Sequence, residues 1–267
     1  MLYKYFNTER ISVLSDNLVR FTQTSALNDP FESALLLKIK GEDEIQSQVV
    51  QILHDLLLSK GLDANSPESV HWIEQNLPAM RAKVTKEFQP AVIGKLLAES
   101  IARKQGVFSL SRVNDNLLMW AHYAESHRGF VLGIDETHYF FNERNSLGDL
   151  TSPKDVVYSS MRVTNTDDIA GQSQLMRRKS IDWAYEEEVR VFKNFPLLGP
   201  SEEPHALDKV HLFLLPSECI KQVFIGANSS PEDRARIIEF AGKRSSPVDV
   251  FETCLSEEKF ELHFTKV

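Results

Sequence analysis

Cysteine is scarce in this chain. Cys219 and Cys254 are the only two in 267 residues, and they do not form a C-x-x-C pair. A zinc site built on thiolates is therefore not expected, and two unpaired cysteines suit a reducing cytosol. Long apolar runs are missing as well. Nothing approaches the roughly 20 residues needed to cross a bilayer, and Met1–Asn7 has no apolar core of a secretory signal. The reading is a cytoplasmic protein with no membrane partner. Positive charge is in deficit: Lys+Arg is 30 against Asp+Glu 38, a formal net charge of −8. Such a chain does not coat nucleic acid by bulk electrostatics, although a local basic site such as Arg177, Arg178 and Lys179 remains open.

The glycine-rich phosphate loops are absent too: there is no G-x-G-x-x-G and no G-x-x-x-x-G-K-[ST]. The G-x-S-x-G elbow is also missing, so Ser109 and Ser111 read as hydrogen-bonding residues at the end of a strand. His122 and His127 lack the i, i+4 spacing of H-E-x-x-H. No metal is expected.

What the sequence does contain is the segment Trp183-Ala184-Tyr185-Glu186-Glu187-Glu188-Val189-Arg190-Val191-Phe192. If Glu186 to Phe192 is a strand, Glu186, Glu188, Arg190 and Phe192 share one face and Glu187, Val189 and Val191 the other. The second face is mainly apolar. The first aligns two carboxylates and a guanidinium beside two aromatic residues, where strands usually avoid acids. A locally broken rule of this kind tends to mark a functional site. The bland alternative is a charge ladder on a solvated edge strand.

Around this segment the chain reads as mixed α and β. Tyr3 to Phe6 predicts a strand whose tyrosines share a face, as a buried aromatic face or as a stacking platform. Thr8 to Asp16 predicts a short helix stopped at Asn17. Asn28-Asp29-Pro30 marks a turn, and Phe31 to Ile39 reads as a buried strand. From Glu44 to Leu58 apolar residues recur at helical spacing. Ser66-Pro67 opens a second helix, and Pro78 starts a third that is interrupted at Pro90. Residues 42–104 thus form a helical insertion or cap within a single domain, 1–267, with core packing as its simplest role. Gly106 to Leu110 is a strand. Asp115 or Asn116 caps a helix that Gly129 ends, with Met119 and Trp120 in the core and His122 on another side, where it can face a pocket. Phe130 to Asp135, Val156 to Tyr158, Val210 to Leu215 and Gln222 to Gly226 are further strands. Asn194 to Lys209 is a loop, Pro231 to Ala241 a helix, and Val248 to Cys254 with Phe260 to Phe264 a closing hairpin. The fold class is α+β, strand-rich, with a mostly antiparallel core and no regular alternation of a doubly wound sheet.

With these residues in place, the chain resembles a widespread, mostly bacterial family catalogued only as a domain of unknown function. The resemblance rests on Lys4-Tyr5, on Asn28 to Glu32, on Met119 to Tyr123 with Gly129, and on Trp183, Glu186, Glu188 and Arg190. Ile220 to Gly226 also fits. More distantly, the order of strand, short helix, strand, polar turn and late E-x-E strand looks like the ADP-ribosyltransferase superfamily. It is nearest to the branch that modifies nucleic acid in toxin–antitoxin systems. That resemblance implies a split-sheet core and NAD as cofactor. It also implies a late-strand glutamate that stabilises an oxocarbenium-like transition state from a dry pocket.

Carried onto this sequence, the resemblance makes Glu188 catalytic, with Glu186 its partner and Arg190 its orienting base or a diphosphate contact. Lys4, Tyr5, Asn28, Asp29, Ser109, His122 and Tyr123 would contact the cofactor. Lys4-Tyr5 stands where the superfamily has H-x-T or R-x-S. The implied activity is transfer of ADP-ribose to a nucleic acid or protein acceptor, as a toxin or phage-defence effector. A different reading is a non-catalytic module that binds a nucleotide or other polyanion through Arg128, Arg177, Arg178 and Arg190. A further one is a metal-dependent nuclease built on Asp29, Glu186 and Glu188.

Overall fold

A computed structural model describes residues 1–33, 41–87, 90–143, 151–162, 176–195 and 209–267. The chain divides into two compact units. One comprises Met1–Asn28, Ile101–Ser160 and Arg177–Val267; the other comprises Asp29–Ser100 and Met161–Met176.

The first unit is built on strands. In chain order they are β1 (Leu2–Phe6), β2 (Leu18–Gln23), β3 (Gln105–Ser111), β4 (Phe130–Ile134), β5 (Lys154–Asp155), β6 (Val157–Ser159), β7 (Arg178–Ser180), β8 (Glu188–Asn194), β9 (His211–Leu214), β10 (Ile220–Ile225), β11 (Asp249–Leu255) and β12 (Leu262–Lys266). Among the described residues the main sheet runs β12-β11-β10-β4-β1-β3-β2-β9, with β8 paired to both β3 and β5. Its pairs are antiparallel except β10 with β11; β6 and β7 form a separate parallel pair. All five residues of β4 are buried, as expected of the uninterrupted apolar run Phe130-Val131-Leu132-Gly133-Ile134.

The sheet forks at β3. One side of β3 pairs with β8 along its whole length, Gln105↔Asn194 to Ser111↔Glu188. The remaining pairings are divided between two strands: Gly106 and Val107 go to β2, Ser111 goes to Tyr3 of β1. Between them, Phe108 to Leu110 have no partner in β1 or β2. Both faces of the sheet are covered. On one, Leu2, Phe6, Phe108, Leu110, Val189 and Val191 join a large apolar cluster. On the other, Tyr5 packs edge-on against Trp120, with Met119, Val131 and Phe224. The alternation within β1, β4 and β10 supplies both cores at once.

Short helices close the ends of the strands. Val13–Asp16 (α1) stops at Asn17, which takes the left-handed conformation at φ 55°. Pro231–Gly242 (the last helix) is capped by Ser230, whose hydroxyl accepts from Asp233 N. Leu117–Tyr123, the helix that carries the M-W-x-H-Y residues, is capped by Asn116, whose Oδ1 accepts from the amides of Leu118 and Met119.

That helix ends earlier than the sequence suggests. Gly129 does not stop it; Glu125, Ser126 and His127 follow Tyr123 in the left-handed region at φ 52°, 55° and 64°. Three non-glycine residues in succession there are strained. Side-chain and loop contacts hold them: Glu125 Oε2 accepts from Thr8 N and Thr8 Oγ1, and Asn228 N donates to His127 O. His127 therefore does not share a helical face with Tyr123, and its ring stacks on Trp120 instead.

The second unit is helical. Gly41–Ser59 and Pro67–Glu87 pack through Val49, Leu53, Leu57 and Ile73. Pro78 lies within the second helix rather than opening a new one. Pro90 does open one, over Pro90–Lys104. The buried strand expected over 31–39 is not there at its start, because Pro30–Ser33 is a helical turn; residues 34–40 lie outside the described residues, as do 196–208 of the expected loop.

Candidate functional site

The acidic segment does not form one strand. Ile181–Glu186 is a 3-10 helix capped by Ser180, whose hydroxyl accepts from Asp182 N. Glu187 turns the chain in the left-handed conformation at φ 42°, and β8 starts at Glu188. Three acids in a row thus sit at a helix-to-strand corner, and the face shared by Glu186 and Glu188 is created by the corner rather than by strand alternation. Nor is the segment a solvated ladder. Glu186, Glu188 and Arg190 expose 3%, 5% and 1% of their surface. β8 lies between β3 and β5 over Val189 and Arg190, so this stretch is not an edge.

The buried groups compensate each other. Arg190 donates Nε to Glu188 Oε1 and Nη2 to Glu188 Oε2, both at 2.8 Å, the bidentate geometry that suits guanidinium and carboxylate. Lys179, buried on β7, donates to Glu186 Oε2 at 2.6 Å and to Glu188 Oε2 at 3.3 Å. Its ammonium also lies 4.7 Å from the ring centroid of Trp183. A lysine thus supplies the positive charge between the two carboxylates, the place that the nuclease reading gives to a metal ion. Burial alone raises the Glu188 pKa. Arg190, Lys179 and the Ser109 hydroxyl outweigh it and hold this carboxyl at about 2. The amide of Glu188 donates to Tyr158 Oη at 2.7 Å.

The cluster reaches the surface through Tyr123. Its hydroxyl donates to Glu186 Oε1 at 2.5 Å and accepts from Nδ2 of the exposed Asn28 at 2.6 Å. Burial, then the hydrogen bond and charge of Glu186, raise the Tyr123 pKa. Ser111 Oγ donates to Glu186 O at 2.7 Å, and Asn116 Nδ2 donates to Tyr185 O at 3.1 Å. These bonds tie the 3-10 corner to β3 and to the 117–123 helix. At the outer end, exposed His122 lies 6.3 Å from Tyr185, which lies 6.2 Å from Trp183. An aromatic row therefore flanks the Asn28–Tyr123–Glu186 path.

The expected site residues do not all come together. Glu186, Glu188, Arg190, Ser109, Tyr123 and Asn28 form one hydrogen-bonded set, and His122 stands beside it. Tyr5 is structural in its contacts: it is buried on Trp120 and its hydroxyl donates to Val113 O at 2.9 Å. The two tyrosines of β1 thus build a buried aromatic face, not an open platform. Lys4 points to the other side of β1 from Tyr3 and Tyr5, with its ammonium 5.4 Å from the ring centroid of Phe108 and 2.8 Å from Ser109 O. Asp29 belongs to the second unit, where its Oδ1 accepts from Phe31 N.

Lys179 and Tyr158 complete the cluster and were not singled out as site residues from sequence. In the sequence Lys179 stands out only as part of the basic run Arg177-Arg178-Lys179. Its alternation with Arg178 along β7 was the available signal. Tyr158 offered none, because its pairing with β7 (Tyr158↔Lys179) is a tertiary fact.

Residues 119–191 match a family model described as a protein of unknown function (DUF2971). The matched stretch contains the Met119–Tyr123 helix and the Trp183–Arg190 corner, the two parts that Tyr123 and Glu186 join. It supports the resemblance to a family of unknown function. No curated protein and no solved structure matches the chain.

Proposed function

We propose that this site binds a nucleotide and that the protein is an ADP-ribosyltransferase-like enzyme acting on NAD. The observation that carries the reading is the path Asn28–Tyr123–Glu186, which leads from an exposed amide to a buried carboxylate within two hydrogen bonds. Four buried charged side chains are a poor way to gain stability, since desolvation offsets much of their attraction. A charged cluster of that kind, with one end opening toward an aromatic row, is better accounted for by chemistry or recognition.

In this reading Glu186 is the carboxylate that meets the ligand. Glu188 has an oxygen on each arm of Arg190 and a further bond to Lys179, and it acts by fixing Lys179 behind Glu186. His122, Tyr185 and Trp183 offer faces on which a base or nicotinamide ring stacks. In the transfer that the resemblance implies, the bond from ribose C1′ to nicotinamide breaks and a bond from C1′ to the acceptor forms. Glu186 would oppose the positive charge that develops on the sugar.

The saturation of Glu188 favours one other reading, a nucleotide-binding module without catalysis. Binding and toxicity separate the two. The enzyme reading predicts that NAD changes the tryptophan fluorescence of the purified protein, and that induced expression arrests growth in the wild type but not in Glu186→Gln. NAD binding without toxicity, equal in both proteins, would favour the module. No response to NAD and no difference in growth would remove the nucleotide reading itself.

A further inference from the structure

The directions of the hydrogen bonds at the mouth of the charged cluster fix the orientation of Asn28. Glu186 accepts at both carboxylate oxygens, from Tyr123 Oη at Oε1 and from Lys179 Nζ at Oε2. The single hydroxyl proton of Tyr123 is thereby committed inward, and its oxygen is left to accept from Asn28. Asn28 must turn Nδ2 toward it, and the two atoms lie 2.6 Å apart. The second N–H of this exposed amide and its Oδ1 have no partner among the described residues. Asn28 thus presents a donor and an acceptor to solvent. Its complement is a neutral edge that carries one of each, as a primary carboxamide and the N6/N7 edge of adenine both do. The surfaces beside it suit a flat ring: His122 lies 6.4 Å from Tyr123 and 6.3 Å from Tyr185, which lies 6.2 Å from Trp183. Asn28, His122, Tyr185 and Trp183 include no lysine or arginine, and both cations of the cluster are already bound to its carboxylates.

We infer that Asn28 is the specificity-determining residue of this mouth, reading a neutral carboxamide on the bound ring and rejecting a carboxylate in its place. The inference rests on the nucleotide reading above and deepens it. Carboxamide is favoured over adenine by position: Asn28 stands one tyrosine away from Glu186, the carboxylate assigned to the sugar carbon that bears nicotinamide. A carboxylate there has no proton to give to Oδ1 and sets acceptor against acceptor. It also adds negative charge near Glu186 with no unpaired cation of the cluster to meet it. A site arranged to hydrogen-bond an N–H discriminates strongly against the analogue that lacks one.

The test is fluorescence titration of the full chain with NAD, with its nicotinic acid analogue and with its hypoxanthine analogue. Wild type is compared with Asn28→Ser, a change at an exposed position whose fold is checked by circular dichroism. Wild type should bind NAD at least about tenfold more tightly than the nicotinic acid analogue, as a donor–acceptor pair of bonds predicts. Asn28→Ser should bring that ratio toward one, mainly by weakening NAD. A merely structural role would weaken both ligands alike and leave the ratio unchanged. The hypoxanthine analogue should follow NAD in both proteins. If wild type binds NAD and the nicotinic acid analogue equally, the inference is overturned while the nucleotide reading stands. A preference that survives in Asn28→Ser has the same meaning. Discrimination against the hypoxanthine analogue that vanishes in Asn28→Ser assigns Asn28 to adenine and also overturns the inference. No binding of NAD by the wild type overturns both the inference and the reading on which it rests.

Discussion

The hydroxyl of Tyr123 donates to Glu186 Oε1 at 2.5 Å, and this bond joins the 117–123 helix to the acidic corner. Tyr123→Phe keeps the ring and leaves a carboxylate oxygen short of a donor. The expected loss is about 1.5–3 kcal/mol, the range for a hydrogen bond to a charged group, measured by urea denaturation. A change within about 0.5 kcal/mol would mean that solvent replaces the hydroxyl and the bond is incidental.

Removing one member of the inner cluster should be worse. Lys179→Met leaves Glu186 and Glu188 facing each other with Arg190 as the main remaining cation, and Glu188→Gln leaves Arg190 without its bidentate partner. Loss of one partner from a buried ion pair typically costs about 3–5 kcal/mol. Both variants should therefore unfold at clearly lower denaturant. Midpoints equal to the wild type would contradict the burial and pairing described for these residues.

Acid stability follows from Glu188. Its folded pKa is about 2 against an ordinary 4.5. A depressed carboxyl contributes stability that is fully present above the ordinary value and lost as pH falls through the folded one. Wild type should thus lose about 3 kcal/mol between roughly pH 5 and 2 through this group, and Glu188→Gln should show a flatter profile over the same window. A parallel pair of profiles would place the acid transition elsewhere.

Lys4 predicts the opposite limb. Its folded pKa of about 8 lies below the ordinary 10.5, so the folded state releases the proton before the unfolded state does. Stability should rise from pH 8 toward 10 through this group, and the rise should vanish in Lys4→Met.

The strained turn after Tyr123 gives a prediction independent of any ligand. Exposed Ser126 sits at φ 55°, where glycine has no steric penalty. Ser126→Gly should stabilise the protein by about 1 kcal/mol. A loss of stability would mean that the hydroxyl has a role that the backbone geometry does not reveal.

Much of this architecture was legible from patterning. β1, β4, β10 and the closing hairpin follow apolar and alternating runs, and the caps at Asn116 and Ser230 follow from short polar side chains before helical segments. The acidic corner was legible in composition and not in shape. Alternation predicts a strand from Glu186 to Phe192, but capping by Ser180 favours a 3-10 turn and Glu187 accepts a left-handed conformation, so the strand starts two residues late. Propensity cannot register that. Lys179 and Tyr158 were missed as site residues because they enter the cluster through strand pairing distant in sequence. Lys4 and Tyr5 were grouped as neighbours, although strand alternation sends them to opposite faces. Pro78 has the chemistry of a helix start, yet the helix runs through it.

The most direct measurement is release of nicotinamide from NAD by purified wild type, Glu186→Gln and Glu188→Gln, each shown to be folded. The account predicts release by the wild type and its loss in both variants, each with a lowered denaturation midpoint because both carboxylates belong to the buried ion-paired cluster. Release that persists in Glu186→Gln would contradict the assignment of that carboxylate to the ligand, and no release by the wild type would contradict the enzyme.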